Sequence, residues 1–150
     1  MGAGLVAKAA RVTLQRQAID GATQTAFQAL FDLADQQQDV LMRLAKADER
    51  AYRAVLKTGS RPTSSPAERE TWLQATEVPI RIAEVCRSLV DTSAPWLDDC
   101  WPAVRPDLQI GLWLLETGNR AGLVAAESNI GFCGDTPAAK SLQLRIAALK

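Results

Sequence analysis

Apolar residues recur every three or four positions along most of the chain, and no segment alternates with period two for long. That pattern predicts an all-α protein, a bundle of five or six helices with no sheet. The first helix is expected from roughly Ala3 to Ala18, broken by Gly21. The second runs from about Thr23 to Lys57, an unusual length of about 50 Å at ~1.5 Å per residue. Gly59 reads as its left-handed C-terminal cap, and Pro62 confirms the stop. The third opens on "SPAE", with Ser65 as N-cap, Pro66 as first helical residue and Glu68 closing a capping box. It continues to about Val90 with Pro79 in its interior. An interior proline removes a backbone hydrogen bond and clashes with the preceding turn at about 3 kcal/mol, so a bend there needs a purpose. "APWLDDCWP" reads as a short helix or turn. A fifth helix is expected from near Pro106 to about Ser128. A sixth follows, with Asp135 or Thr136 as cap and Pro137 inside.

The second helix is too long for so small a domain to cover along its whole length. It must pack against a partner or project from the body, so a homodimer is expected, with a coiled-coil projection as the rival. Its apolar seam, followed at spacings of three and four, gives Phe27, Phe31, Ala34, Leu41 and Ala45, then Asp48, then Tyr52 and Val55. Asp48 thus falls among apolar neighbours, and a buried carboxylate must be paired or carry a raised pKa. Tyr52 lies one turn beyond, within side-chain reach. The alternative, which periodicity by itself favours, is a drifting seam that leaves Asp48 solvated beside Arg43 or Arg50. Gln37 and Gln38 interrupt the seam and support the drift.

In the fifth helix, Gly111, Gly118 and Gly122 are interleaved with Ala121 and Ala125. Each glycine costs a helix about 1 kcal/mol, so close helix–helix packing is the preferred explanation, ahead of a ligand surface. Asp107 opens this helix and complements its dipole, and Asn129 lies near its far end. The two are 22 residues apart (129 − 107), about 33 Å along a helix. They cannot share one site within a subunit, but a twofold mate could supply the second. Trp72, Trp96, Trp101 and Trp113 read as core or interface anchors.

Composition narrows the chemistry. The chain has 150 residues, 47% of them hydrophobic, which suits one domain with a real core. Seventeen basic residues balance seventeen acidic ones, and no basic run stands out, so nucleic acid is not an expected partner. No apolar run approaches the ~20 residues of a membrane span, and Lys8 and Arg11 break the apolar start, which argues against a signal peptide. Cys86, Cys100 and Cys133 are odd in number and widely spaced, which suits reduced thiols and a cytoplasmic protein. There is no histidine, so Ser-His-Asp and Cys-His catalysis and His-ligated metals are excluded. No structural zinc is expected. Chemistry here must use carboxylates, Lys, Tyr, Asn or backbone dipoles.

Three stretches, "ADERAYRAVLKTGSRP", "ERETWLQATEVPIRIAEVC" and "PDLQIGLWLLETGNRAGLVAAESNI", in this order and spacing, resemble the formiminotransferase-cyclodeaminase C-terminal family. That family includes methenyltetrahydrofolate cyclohydrolases and cyclodeaminase domains, and the resemblance covers essentially the whole chain. It implies an all-α subunit, a homodimer, a tetrahydrofolate-derived substrate with no separate cofactor, and a Val-Pro at this place in a long helix that shapes the fold around a folate cleft. The family's chemistry is water attack on a methenyl bridge, or formation of that bridge with loss of ammonia. Both need a positioned proton acceptor or donor.

The family pattern carries over unevenly. Asp48 matches the second acid of its D-x-D-x-x-A-Y stretch and Tyr52 the aromatic, whereas Lys46 stands at the first acid. Asp107 matches the acid of a Ser-Asp pair whose serine is Pro106 here. Asn129 matches the later of two asparagines, and Ala125 stands at the earlier. The family's "P-T-P-G-G-G-S-A-A-A" segment would lie ahead of the residues given, so the resemblance implies a single domain without it. Two functions stay open. One is a cyclohydrolase or cyclodeaminase with Asp48 and Tyr52 catalytic and Asp107 and Asn129 binding substrate. The other is a catalytically degenerate helical homodimer that binds folate or a protein partner.

Overall fold

A computed structural model describes residues 1–16, 18–58 and 65–150. Among them are five α-helices and no strand: α1 (Gly2–Arg16), α2 (Gly21–Thr58), α3 (Pro66–Ser93), α4 (Arg105–Ile130) and α5 (Pro137–Ala148). Between α3 and α4 lie two short 3₁₀ turns, Ala94–Trp96 and Pro102–Val104, where the sequence suggests a short helix or turn. The all-α reading is correct, with one helix of 38 residues. None of the described helices is long and apolar enough to cross a membrane. The cap assigned to Gly59 and the stop at Pro62 lie outside the described residues.

Capping chemistry sets most helix starts. Ser65 Oγ accepts the Glu68 N–H at 3.2 Å, as its N-cap role requires. Thr136, not Asp135, caps α5, its Oγ1 accepting the Ala139 N–H at 3.1 Å ahead of Pro137. At α2 the expectation is corrected. Gly21 does not merely break the first helix; it is the first residue of the second. Asp20 is the reason, since its Oδ1 accepts the Ala22 and Thr23 N–H groups at 2.9 and 3.0 Å, and its Oδ2 accepts the Thr23 hydroxyl at 2.7 Å. Those bonds favour the carboxylate and hold the Asp20 pKa below its ordinary value.

The chain divides into two compact units, one formed by Met1–Leu41 and Val85–Thr117, the other by Met42–Glu84 and Gly118–Lys150. In the first unit, Ala3, Val6, Ala7 and Ala10 give α1 a buried small-residue face. Gly111 packs on it: a Cβ there would sit 3.1 Å from Gly2 O and 3.2 Å from Leu5 Cβ. Arg11 lies over the Phe31 ring at 5.4 Å, and Phe27 meets Trp96 with ring centroids 5.5 Å apart. Thr13, fully buried, donates to Ala9 O at 2.9 Å and accepts the Trp101 N–H at 3.0 Å, which fastens the turn region to α1.

In the second unit the core joins α3, α4 and α5 through Ile80, Ala83, Leu123, Ala126, Leu142 and Ile146. A second cluster joins Trp72, Cys133 and Ala139, with Val55 of α2 packed against it. Trp72 stacks on Phe132 at 4.2 Å, so this tryptophan is a core anchor. Arg145 of α5 bridges two turns of α3, bonding both carboxylate oxygens of Glu84 at 2.8 and 2.9 Å and Glu77 at 2.6 Å. These charge-assisted bonds push the Arg145 pKa above its ordinary value. The three cysteines are unpaired and buried.

Candidate functional site

The second half of α2 does not continue the seam traced from the sequence. Leu44 is buried and Ala47, Ala51 and Ala54 are partly so, whereas Ala45, Asp48 and Tyr52 are exposed. The stripe drifts, as the interrupting glutamines suggest, because a helix of 3.6 residues per turn rotates away from strict three-and-four spacing over such a length. Asp48 is therefore not a desolvated carboxylate in this chain, and Tyr52 is 62% exposed.

Exposure does not remove Asp48 from a cavity. In the second unit a cleft of about 200 Å³ is lined by Asp48, Ala51, Tyr52 and Val55 from α2, Ala75 and Pro79 from α3, and Ala125, Ser128 and Asn129 from α4. Asp48, Tyr52 and Asn129, three of the four residues singled out in the sequence, thus converge on one wall system. Asp107 is not among them. It belongs to the first unit and pairs with Lys8 at 2.8 Å.

At Pro79, which lines the cleft, α3 and α4 cross closely. A Cβ on Gly122 would come 2.6 Å from Pro79 O and 3.2 Å from Ala83 Cβ, so glycine lets α4 approach α3 at the proline. Two helical turns on, at i+7 and on the same face, Asn129 reaches α3 and donates from Nδ2 to Ala75 O at 2.9 Å. Beyond it, the buried Thr76 hydroxyl donates to Trp72 O at 2.8 Å and lies 3.4 Å from Cys133 Sγ. Gly111 and Gly122 both serve packing, as preferred from the sequence, while Ala125 lines the cleft.

Sequence reasoning missed the Ala75 carbonyl as a functional group. Its signal was present: a proline four residues later strips that carbonyl of its helical donor. It also missed Ser128, which lines the cleft and whose Oγ donates to Val124 O at 2.9 Å. Among the described residues no three acidic or thiol side chains converge so as to hold a metal ion.

The cleft offers a carboxylate, a phenol and an amide on an all-helical frame. The chain belongs to the formiminotransferase-cyclodeaminase family, whose model matches residues 1–148. That family implies folate one-carbon metabolism in general and a folate-related ligand. No curated protein matches the chain.

Proposed function

We propose that the cleft between α2, α3 and α4 takes a one-carbon derivative of tetrahydrofolate and that the chain is a cyclohydrolase or cyclodeaminase. The observation that carries this reading is the convergence of Asp48, Tyr52 and Asn129 on one cleft, since Asn129 on α4 lies far along the chain from the Asp48–Tyr52 turn of α2. Asp48 is the proton-transfer group: as a carboxylate it accepts the proton of a water attacking the methenyl carbon, or it relays a proton while ammonia leaves. Tyr52, one turn away, flanks the bound heterocycle, and Asn129 contacts its polar edge.

A homodimer fits this reading. Tyr52, which lines the cleft, is 62% exposed, and Leu56 on α2 and Val124 on α4, in the same unit, are each 63% exposed; a second copy laid over such apolar surface would exclude water from Asp48.

The test is the absorbance decay of 5,10-methenyltetrahydrofolate with the folded, purified chain against buffer. A rate well above buffer is expected, with Asp48→Asn losing at least a hundredfold while helical circular dichroism is unchanged. A rate equal to buffer would end the enzyme reading. The exposure of Asp48 favours one second reading, a helical dimer that binds folate without turning it over. Saturable binding of 5,10-methenyltetrahydrofolate with no acceleration of its decay would select it.

A further inference from the structure

Pro79 has no N–H, so no α-helical donor reaches the carbonyl of Ala75 four residues earlier. Ala75 is only 4% exposed, and a buried carbonyl without a partner is costly. The partner comes from another helix: Asn129 Nδ2 donates to Ala75 O at 2.9 Å. With that nitrogen committed, the amide cannot flip without losing the bond. Its Oδ1 makes no hydrogen bond among the described residues, and its second N–H is also left over. Both Asn129 and Pro79 line the cleft.

We propose that Pro79 is a positioning residue for whatever the cleft binds, an inference that rests on the folate reading only for the identity of the ligand. By withholding a helical donor, Pro79 leaves Ala75 O to fix Asn129 in one orientation. The amide then presents an acceptor and a donor side by side. That pair suits a ligand edge with adjacent N–H and C=O groups, as in a cyclic amide, and disfavours an edge of two acceptors. The interior proline, unfavourable to its own helix by about 3 kcal/mol, is thereby tied to recognition rather than to helix shape alone.

A carbonyl has two lone pairs. An N–H restored at position 79 therefore competes with Asn129 rather than blocking it, which sets the size of the expected effect. Pro79→Ala, Asn129→Ala and the double variant of the full chain are compared by nuclear magnetic resonance of the Asn129 side-chain amide and by titration with 5,10-methenyltetrahydrofolate. Pro79→Ala should fold with helicity and thermal midpoint at least those of the parent. Its Asn129 amide protons should exchange at least tenfold faster, and affinity should fall about tenfold. The double variant should bind like Asn129→Ala alone, because Pro79 acts through Asn129. Asn129→Asp, which places a second acceptor against Ala75 O, should match Asn129→Ala.

Unchanged Asn129 amide signals in Pro79→Ala, or losses that multiply in the double variant, would overturn the proposal. If the parent does not bind 5,10-methenyltetrahydrofolate, the folate reading falls. The amide exchange rate in Pro79→Ala then decides by itself whether the proline holds the asparagine.

Discussion

Gly122 lies so close to Pro79 that a Cβ on it would stand 2.6 Å from the proline's carbonyl oxygen. Backbone does not yield as a flexible side chain does, so Gly122→Ala must push α4 off α3. We expect a net loss of about 1–2 kcal/mol, overpacking outweighing the roughly 1 kcal/mol that alanine adds to a helix. Gly21→Ala is the control, since nothing lies within 4 Å of a Cβ there, and it should be neutral or mildly stabilising. Urea midpoints of the two variants check this, and equal midpoints would refute the close crossing.

Thr13 has a single hydroxyl with two tasks, donating to Ala9 O and accepting the Trp101 N–H. Thr13→Val keeps the volume and strands the Trp101 N–H, which should cost about 1–2 kcal/mol. Thr13→Ser should recover most of it. Thermal melts of the three proteins report the difference, and a valine variant as stable as the parent would show that the bond contributes nothing.

Arg145 holds Glu77 and Glu84 with side chains 33%, 37% and 38% exposed, respectively. Partial solvation discounts the Coulomb gain, so Arg145→Met should cost about 1 kcal/mol rather than the several of a fully buried pair. Arg145→Lys should rescue little, because an ammonium cannot bridge both carboxylates with the guanidinium's geometry. Raising salt should narrow the gap between parent and Arg145→Met. A gap that salt leaves untouched would assign the arginine's role to packing of its stem.

Burial pushes the Cys86 thiol from 9.0 up to about 11, and it pushes Cys100 and Cys133 upward as well. The folded state therefore favours the neutral thiol. Stability is fully present below pH ~9 and is lost as pH rises toward ~11, because the unfolded chain ionises first. Cys86 should account for up to about 2 kcal/mol of that fall. Urea unfolding at pH 8 and pH 10.5 should show a smaller drop for Cys86→Ala than for the parent. Identical drops would mean that Cys86 reaches solvent in the folded state.

Much of the fold was legible because its causes are local. The three-and-four apolar spacing, the Ser65–Pro66 start and the Thr136–Pro137 start act within one turn of helix, and the structure follows them within a few residues. The start of α2 was misread by two residues because the capping power of Asp20 was not weighed against the breaking power of Gly21. The candidate site was legible in part. Asp48, Tyr52 and Asn129 line one cleft, and of the two readings of the α2 seam the drifting one, with Asp48 exposed, holds. A period of three and four accumulates angular error along a helix, and by Asp48, in the eighth turn of α2, that error changes which face is inward.

The sequence by itself determined that this chain is helical, that α3 carries a proline in its interior, and which side chains could do proton chemistry without histidine. Those follow from hydrogen-bond geometry and side-chain chemistry acting over a few residues. Only the tertiary structure decided that Gly122 seats α4 against Pro79, that the orphaned Ala75 carbonyl is met by Asn129, and that Asp107 pairs with Lys8. Such pairings join residues tens of positions apart. They are set by how helix surfaces fit together, which no local pattern encodes.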